Sequence, residues 1–418
     1  MPLNIVKVNP GVVKDITQYS AGKNGPFWVD GNNVRFRNGF PTKIGGWTNE
    51  AIFSLDASGA VTSTASSLTG VPRKMNFWRG ITDGEDYLAV GTHNHLQIIK
   101  GNGIYDITPL ITTASLTNPF TTSSGSTTVT VADTSHGQLN GDWVQFSGAS
   151  ALNGVAADTF NQKVGFQITY VNANSYTIVV SDTASGSGSG GGSVTANYLI
   201  GLEEELGTQT AAPALGWGSG GWGEHTWGTP RTVATTGVVL EQTNWSLNIW
   251  GENLIATVRN GQIYYWQVSD EVTTRAALLS AESGASDIPT KNRVTIVSFP
   301  DRHLVSGGCP PVGSTTIDPM LIRWSDQENF LDWTPKLENT SGDQRLEIGT
   351  KIVAMIPTRD EIFISTDEAV YGMSFIGPPL TFSFRLVGAN CGTVGINTMI
   401  NVDGDVYWMG KTDFFLYN

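Results

Sequence analysis

Cysteine is nearly missing from this chain: two residues, Cys309 and Cys391, among 418. Two cysteines cannot form a disulfide framework, and neither has Cys or His beside it at metal-ligand spacing. Charge is scarce as well, at 15% of residues against the roughly 25% usual in soluble domains. No run approaches the ~18 consecutive apolar residues of a membrane helix, so no membrane span is expected. Met1 to Tyr19 has no basic region leading into an apolar core, and no secretion signal is read there. Basic residues are outnumbered 24 to 37, for a formal charge of −13, which argues against a surface that grips nucleic acid. Helical periodicity is almost absent. Its best candidate is the short Thr273–Glu282, with a second around Leu202–Leu206.

What is abundant is glycine and aromatic surface. Glycine supplies 49 residues, well above the usual ~7%, beside 13 Trp, 17 Phe and 11 Tyr. Together with 39% hydrophobic residues this is ample for a core and excludes global disorder. Short runs rich in Val, Ile, Thr, Tyr, Phe and Trp alternate with Gly, Asn, Asp and Pro, the pattern of many antiparallel strands. At roughly 150 residues per domain, the length suggests two or three domains.

One unit recurs: an apolar strand, a tight polar turn, a second apolar strand, another turn, then an aromatic-bearing strand. Its copies are Lys74–Trp78, Tyr87–Thr92 and Leu96–Ile99; Trp245–Trp250, Leu254–Val258 and Ile263–Trp266; and Val294–Phe299, His303–Ser306 and Met320–Trp324. Two more are Ile352–Ile356, Ile362–Ser365 and Val370–Phe375, then Thr398–Val402, Val406–Met409 and Phe414–Tyr417. Middle strands starting at Leu254, His303, Ile362 and Val406 lie 49, 59 and 44 residues apart. Four-stranded propeller blades repeat at about 40–50 residues, so an all-β, β-propeller-like ring of short antiparallel blades is expected. A large sandwich of meandering hairpins fits the same pattern.

From Tyr87 to Leu254 the step is 167 residues, too long for one blade. The excess reads as strands at Thr127–Ala132, Trp143–Ser147, Gln167–Val171 and Ser175–Ser181. The run Ser185–Ser193 (SGSGSGGGS) reads as a flexible hairpin tip or linker. The expected organisation is 1–111, an N-terminal segment and first blade; 112–200, an inserted Thr/Gly-rich β-sandwich or barrel; and 201–418, the remaining blades.

Catalytic templates find little. His93 and His95 would share a face on a strand, as metal ligands do, but Gly91-Thr92 and Asn94 point to a surface turn. No nucleophile elbow, phosphate-binding loop or zincin motif occurs. Trp324–Trp333 (WSDQENFLDW) crowds Asp326, Glu328 and Asp332 together as a glycosidase might. Lacking the glycine and spacing of an Asp-box, it reads better as a connecting turn whose carboxylates cap backbone N–H groups. Trp217, Trp222 and Trp227 could stack on sugars or bases, or plug a propeller face while their glycines free the backbone. No catalytic, cofactor-binding or metal-binding residue is assigned, and no enzymatic activity or cofactor is expected.

Several longer motifs carry a resemblance. WVDGNNVRFRNGFPTKIGGW (Trp28–Trp47), GWGSGGWGEHTWG (Gly216–Gly228), WSLNIWGENLIATVRNGQIYYW (Trp245–Trp266) and IRWSDQENFLDWTP (Ile322–Pro335) resemble segments of tail nozzle or tail hub proteins of short-tailed bacteriophages. So do the stretches Ile362–Phe384 and Cys391–Asn418. The Thr127–Ala149 stretch is similar to small β-domains of phage structural proteins.

The resemblance implies a non-enzymatic propeller, a homohexameric ring continuing the DNA channel below portal and adaptor. Its implied partners are the tail adaptor, fibre, spike or needle proteins, and genomic DNA passing without specific binding. The implied location is the virion tail, assembled in the host cytoplasm. It also leads one to expect further chain after Asn418, or closure of the ring by a strand around Val34–Pro41. DNA carries a charge every ~1.7 Å, and an acidic conduit would not hold it. A carbohydrate-binding tail adhesin, and a stopper or baseplate piece of a long-tailed phage, stand as alternatives.

Overall fold

The computed structural model describes residues 11–12, 28, 30–31, 34–38, 40–44, 52–55, 61–162, 165–200, 244–299 and 301–417. Residues 1–51 form one compact unit and 52–418 another. In the first unit, Val34–Arg37 and Phe40–Lys43 pair as a two-stranded sheet of their own, with Asn38 at positive φ in the turn. The stretch expected as one closing strand is therefore a hairpin, because Asn tolerates the left-handed turn conformation that reverses the chain.

The second unit is almost wholly β. Five sheets follow in chain order, antiparallel except where Phe53–Leu55 joins Gly103–Asp106 in parallel. The first holds Pro72–Arg79, Asp86–Thr92, Leu96–Lys100 and Gly103–Asp106, extended by Phe53–Leu55 and Val61–Ala65. The second holds Trp245–Trp250, Asn253–Val258, Ile263–Trp266 and Ala277–Leu278. The third holds Val294–Val297, Leu304–Cys309, Asp318–Trp324 and Gly342–Arg345. Ile352–Pro357, Ile362–Thr366, Ala369–Gly377 and Thr381–Ala389 make the fourth. Met399–Val402, Asp405–Met409 and Phe414–Tyr417 make the fifth. Tight turns join them: Asp403 and Gly404, both at positive φ, form the two-residue loop whose twist suits a hairpin.

The strands of the interior sheets are apolar on both faces, since each sheet is sandwiched between two others. Leu254 and Ala256 face the first sheet beside Trp78, Tyr87 and Trp245, while Ile255 faces the third beside Val297 and Leu304. Ile362 and Ile364 pack on the third sheet, and Phe363 on the fifth beside Met399 and Trp408. Each such fully buried side chain is worth about 1.5–3 kcal/mol.

Polar side chains stitch the first strands of successive sheets together. Asn76 Nδ2 donates to Leu247 O at 3.1 Å, Asn248 Nδ2 to Thr295 O at 2.9 Å, and Arg293 Nε to Ile352 O at 3.1 Å. Asn401 Nδ2 donates to Pro357 O at 2.9 Å, and Lys74 Nζ reaches Asn397 Oδ1 at 3.3 Å. The first strands therefore face a common axis.

Between Ile107 and Ile200 the chain leaves the first sheet for a separate two-sheet sandwich. Its five-stranded sheet contains Phe120–Thr122, Thr128–Ala132, Thr169–Asn172, Ser175–Val179 and Gly188–Gly190. Its four-stranded sheet contains Leu110–Thr117, Trp143–Ser147, Phe166–Gln167 and Ser193–Leu199. The glycine-rich run is an edge strand paired to Phe120–Thr122 rather than a linker. A side chain at Gly191 would collide with the Phe120 ring, so the glycines reflect close approach.

Thr273–Glu282 is not a helix. Ala277–Leu278 pairs with Tyr264–Tyr265 as a fourth strand, and Ala276 N donates to Ile107 O. Tertiary pairing overrides a helical propensity worth a few tenths of a kcal/mol per residue. Leu202–Leu206 lies outside the described residues. Among those described, the helical elements are the single turn Ala157–Phe160 and two 3-10 turns, Val268–Asp270 and Leu279–Ala281.

Candidate functional site

The histidine pair sits in the hairpin turn after Asp86–Thr92, not along one strand. Val71 N donates to His93 Nδ1 at 2.9 Å, and His95 N donates to Thr92 Oγ1 at 2.9 Å. The turn is buried rather than on the surface. Trp245 Nε1 donates to Thr92 O at 2.8 Å, and His95 lies edge-on to Trp143 of the sandwich. Burial and the nearby Arg73 hold His93 below its usual pKa.

In Trp324–Trp333 the carboxylates accept local donors. Asp326 Oδ1 takes Thr340 N at 2.8 Å. Asp332 takes the Ser286 hydroxyl at 2.5 Å and Lys336 Nζ and Asn339 Nδ2 through its other oxygen. These groups brace a loop against the previous sheet, with the Ser286–Asp332 bridge as the seam. Trp217, Trp222 and Trp227 lie outside the described residues.

One array the sequence did not single out resembles a catalytic relay. His303 Nδ1 lies 2.7 Å from Asp301 Oδ2, and its Nε2 lies 3.1 Å from the Thr340 hydroxyl. An acid, an imidazole and a hydroxyl in that order activate nucleophiles. Here the hydroxyl already donates to Asp326 Oδ1 and accepts Gln327 N, both at 2.8 Å. The ring is fully buried against Phe375 and Phe382. Burial works to raise the Asp301 carboxyl, but the bonds from His303 and Ser298 outweigh it and hold the group low. The array braces two loops of the third sheet, and its ring packs on Phe375 and Phe382 of the fourth. Cys309 is equally inert, its thiol pushed up to about 12 by burial. Among the described residues, no cluster of His, Cys, Asp or Glu could hold a metal.

Two features remain. Along the axis, a cavity of about 300 Å³ lies among the first strands, lined by Asn76, Leu247, Thr295 and Met355. At one end of the strands a second cavity, of about 490 Å³, is lined by Asn244, Arg259, Lys351, Asp367, Asn397 and Lys411.

The other feature is the pair of sheet faces at the ends of the series. Buried clusters join the first sheet to the second, the second to the third, the third to the fourth and the fourth to the fifth. Among the described residues, none joins the fifth to the first. The outer face of the fifth sheet aligns Ile400, Tyr407 and Leu416 across three strands, with Met409 opposite Phe414. Phe414 is 82% exposed and Ile400 58%. The first sheet turns Phe77, Leu88, Ile99 and Ile104 to its own outer face, and Phe77 is 63% exposed. A monomer rarely leaves contiguous apolar rows in water, and such rows mark interaction surfaces.

No protein-family model matches the chain, and no curated protein matches it. Among solved structures it is similar to a phage phi92 endosialidase at 13% identity, covering 80% of this chain and 52% of that one, with a TM-score of 0.27. It is also similar to apo AztD from Citrobacter koseri, at 8% identity, 79% and 70% coverage and a TM-score of 0.27. A Synechocystis apocarotenoid oxygenase follows at 8% identity, 72% and 61% coverage and a TM-score of 0.24. The chain spans about half the length of the endosialidase chain.

Proposed function

We propose that this chain is a structural subunit of a bacteriophage tail, a nozzle or hub that assembles with copies of itself around the DNA path. The observation that carries the assembly role is the pair of exposed apolar faces on the first and fifth sheets. The long motifs resembling nozzle and hub proteins, Trp28–Trp47 and Trp245–Trp266 among them, supply the tail context. In this reading the protein sits in the virion, docks an adaptor and fibres or a needle, and turns over no substrate.

The axis of one subunit cannot be the conduit. A duplex whose major groove alone is about 12 Å wide does not fit a 300 Å³ cavity, so the lumen lies between subunits. Net charge of −13 per copy keeps passing DNA from sticking, because each retained phosphate contact would slow ejection.

Mass photometry with negative-stain imaging of the full chain tests the reading. A six-fold ring of roughly 270 kDa, six copies of 44.8 kDa, with a central opening is the expected result. Absence of the chain from purified virions, or saturable glycan binding with turnover, would overturn it.

A further inference from the structure

Charge is unevenly shared between the two units. Six basic residues stand against three acidic ones in 1–51, a balance of +3, and 52–418 carries the remaining −16. Half of those six cations, Arg35, Arg37 and Lys43, lie on the two-stranded ribbon Val34–Arg37 and Phe40–Lys43. A local excess of positive charge within an acidic chain marks a surface for an anionic partner. Exposed charges farther apart than about 10 Å are largely screened at 0.1 M salt, so the ribbon's own residues decide what it attracts.

Strand alternation sorts the ribbon into two faces. Val34 and Phe36 are half-buried within the unit. The Phe36 ring lies 6.3 Å from that of Trp28, and a side chain at Gly31 would meet both Val34 and Val12. Arg35 and Arg37 point the other way and are exposed. Their cross-strand partners on that face are Thr42 and Phe40, and Phe40 is 72% exposed. Lys43 stands exposed at the open end of the ribbon, opposite Val34. Among the described residues, no carboxylate pairs with Arg35, Arg37 or Lys43. Packing inside the unit therefore uses the apolar face and leaves the cationic one to solvent.

We propose that this ribbon is a contact surface for the phosphate backbone of duplex DNA. Two residues along a strand advance about 6.8 Å, so Arg35 and Arg37 present two guanidinium forks in a row to a row of phosphates. Paired strands lie about 5 Å apart, and a two-stranded ribbon is one of the elements that the roughly 12 Å major groove admits. Asn38, at a φ of 52°, reverses the chain in a tight turn and keeps the tip of the ribbon narrow. Phe40, beside Arg37 on the exposed face, supplies an apolar contact of the kind that meets a thymine methyl. Duplex DNA carries one charge per ~1.7 Å of its axis, and release of its condensed counterions drives such contacts. Three cations are too few to arrest a duplex at physiological salt, so the contact goes beyond the tail reading without opposing free passage.

Fluorescence anisotropy of a labelled short duplex, titrated with the full chain across a salt series, is the test. Each phosphate contact contributes about 0.9 to the slope of log affinity against log salt. Three contacts should therefore weaken binding about fortyfold between about 50 and 200 mM salt. In the double variant Arg35→Gln/Arg37→Gln one contact remains, and the same step should cost about 3.5-fold. Both positions are exposed, so the fold should be unaffected, and Lys43→Gln, falling about twelvefold, gives a second reading. Arg79→Gln, at an exposed arginine of the second unit, should keep the full salt dependence. No binding at the low-salt end, or an unchanged slope in the double variant, would overturn the proposal. So would poly-glutamate displacing the labelled duplex better than unlabelled duplex at equal charge, which would make an acidic protein surface the partner. None of these readouts needs an assembled ring, so failure here leaves the structural reading untouched, and absence of the ring leaves this proposal standing.

Discussion

The sandwich at Leu110–Leu199 and the series of five sheets use the same strands to opposite ends. In the sandwich, two sheets spend their apolar faces on each other. Phe120 stacks on Phe160 at 4.3 Å, with Phe146 edge-on at 5.1 Å, and all three are buried. In the series, the interior sheets have two apolar faces and two neighbours, and among the described residues no buried cluster covers the outer faces of the first and fifth sheets. A module with one apolar face per sheet closes after two layers, whereas one with two faces per sheet propagates until something else covers its ends. The first kind is suited to be an appendage, the second to be part of an assembly.

Breaking the closed region carries the largest expected cost. Phe160→Ala removes one half of the stacked pair at a site with no exposure and should destabilise the sandwich by about 3–5 kcal/mol. Hydrogen exchange should show Thr128–Ala132 and Ser175–Val179 losing protection while Leu254–Val258 keeps it. Equal loss in both regions would mean that sandwich and sheets fold as one unit. Their junction gives that outcome a route. Arg275 donates to Thr108 O at 2.7 Å, pairs with Asp106 at 3.2 Å and bonds Gln145 of the sandwich.

Next in size is the contact that joins the first sheet to the second. A methyl group at Gly91 would run into the indole of Trp245, which is fully buried and bonded to Thr92 O. Gly91→Ala should cost about 1–3 kcal/mol, the usual penalty of overpacking, read as a lower chemical-denaturation midpoint. Gly404→Ala has open space for its methyl but a φ of 104°, so it separates backbone strain from collision.

A smaller effect belongs to the polar seam between the second and third sheets. Burial works to raise the Asp332 carboxyl, but bonds from Ser286, Lys336, Asn339 and Thr334 N overcome it and hold the group at about 2 against a usual 3.8. A depressed carboxyl contributes stability above its unfolded pKa and loses that contribution as pH falls through the folded value. Asp332→Asn should therefore weaken the chain at neutral pH and flatten the acid-unfolding curve between pH 3.8 and about 2. An unchanged curve in that window would remove Asp332 from the seam.

How much of this could be read in the chain itself depended on burial. The first three strands of the interior sheets were legible because runs such as NLIATV and IFIST are apolar on both faces. The fourth strands were not. Gly342–Arg345 (GDQR) is polar and Ala277–Leu278 is two residues long, so neither carries a period. Ser185–Ser193 looked like a linker because glycine at a crowded edge has the same composition as glycine in a tether. The cavity at the strand ends was invisible for a different reason. Arg259, Lys351 and Lys411 stand far apart in sequence, and it is pairing register that gathers them. The His303 array likewise joins residues from two loops.

The smallest expected change in stability is also the one that most sharpens the comparison. Phe414 and Phe77 project from the two end faces, and replacing exposed side chains usually moves stability by no more than about ±0.5 kcal/mol. Phe414→Ser and Phe77→Ser should leave the denaturation midpoint of the isolated chain nearly unchanged. If the end faces are buried between subunits, each variant should nonetheless shift the mass distribution from ring to monomer. An exposed aromatic of the sandwich, Tyr170, provides the matched control, and Tyr170→Ser should leave the ring intact. Loss of the ring in all three variants would show that surface aromatics in general hold it. Retention of the ring in Phe414→Ser and Phe77→Ser would show that the two end faces serve some other partner than a second copy of the chain.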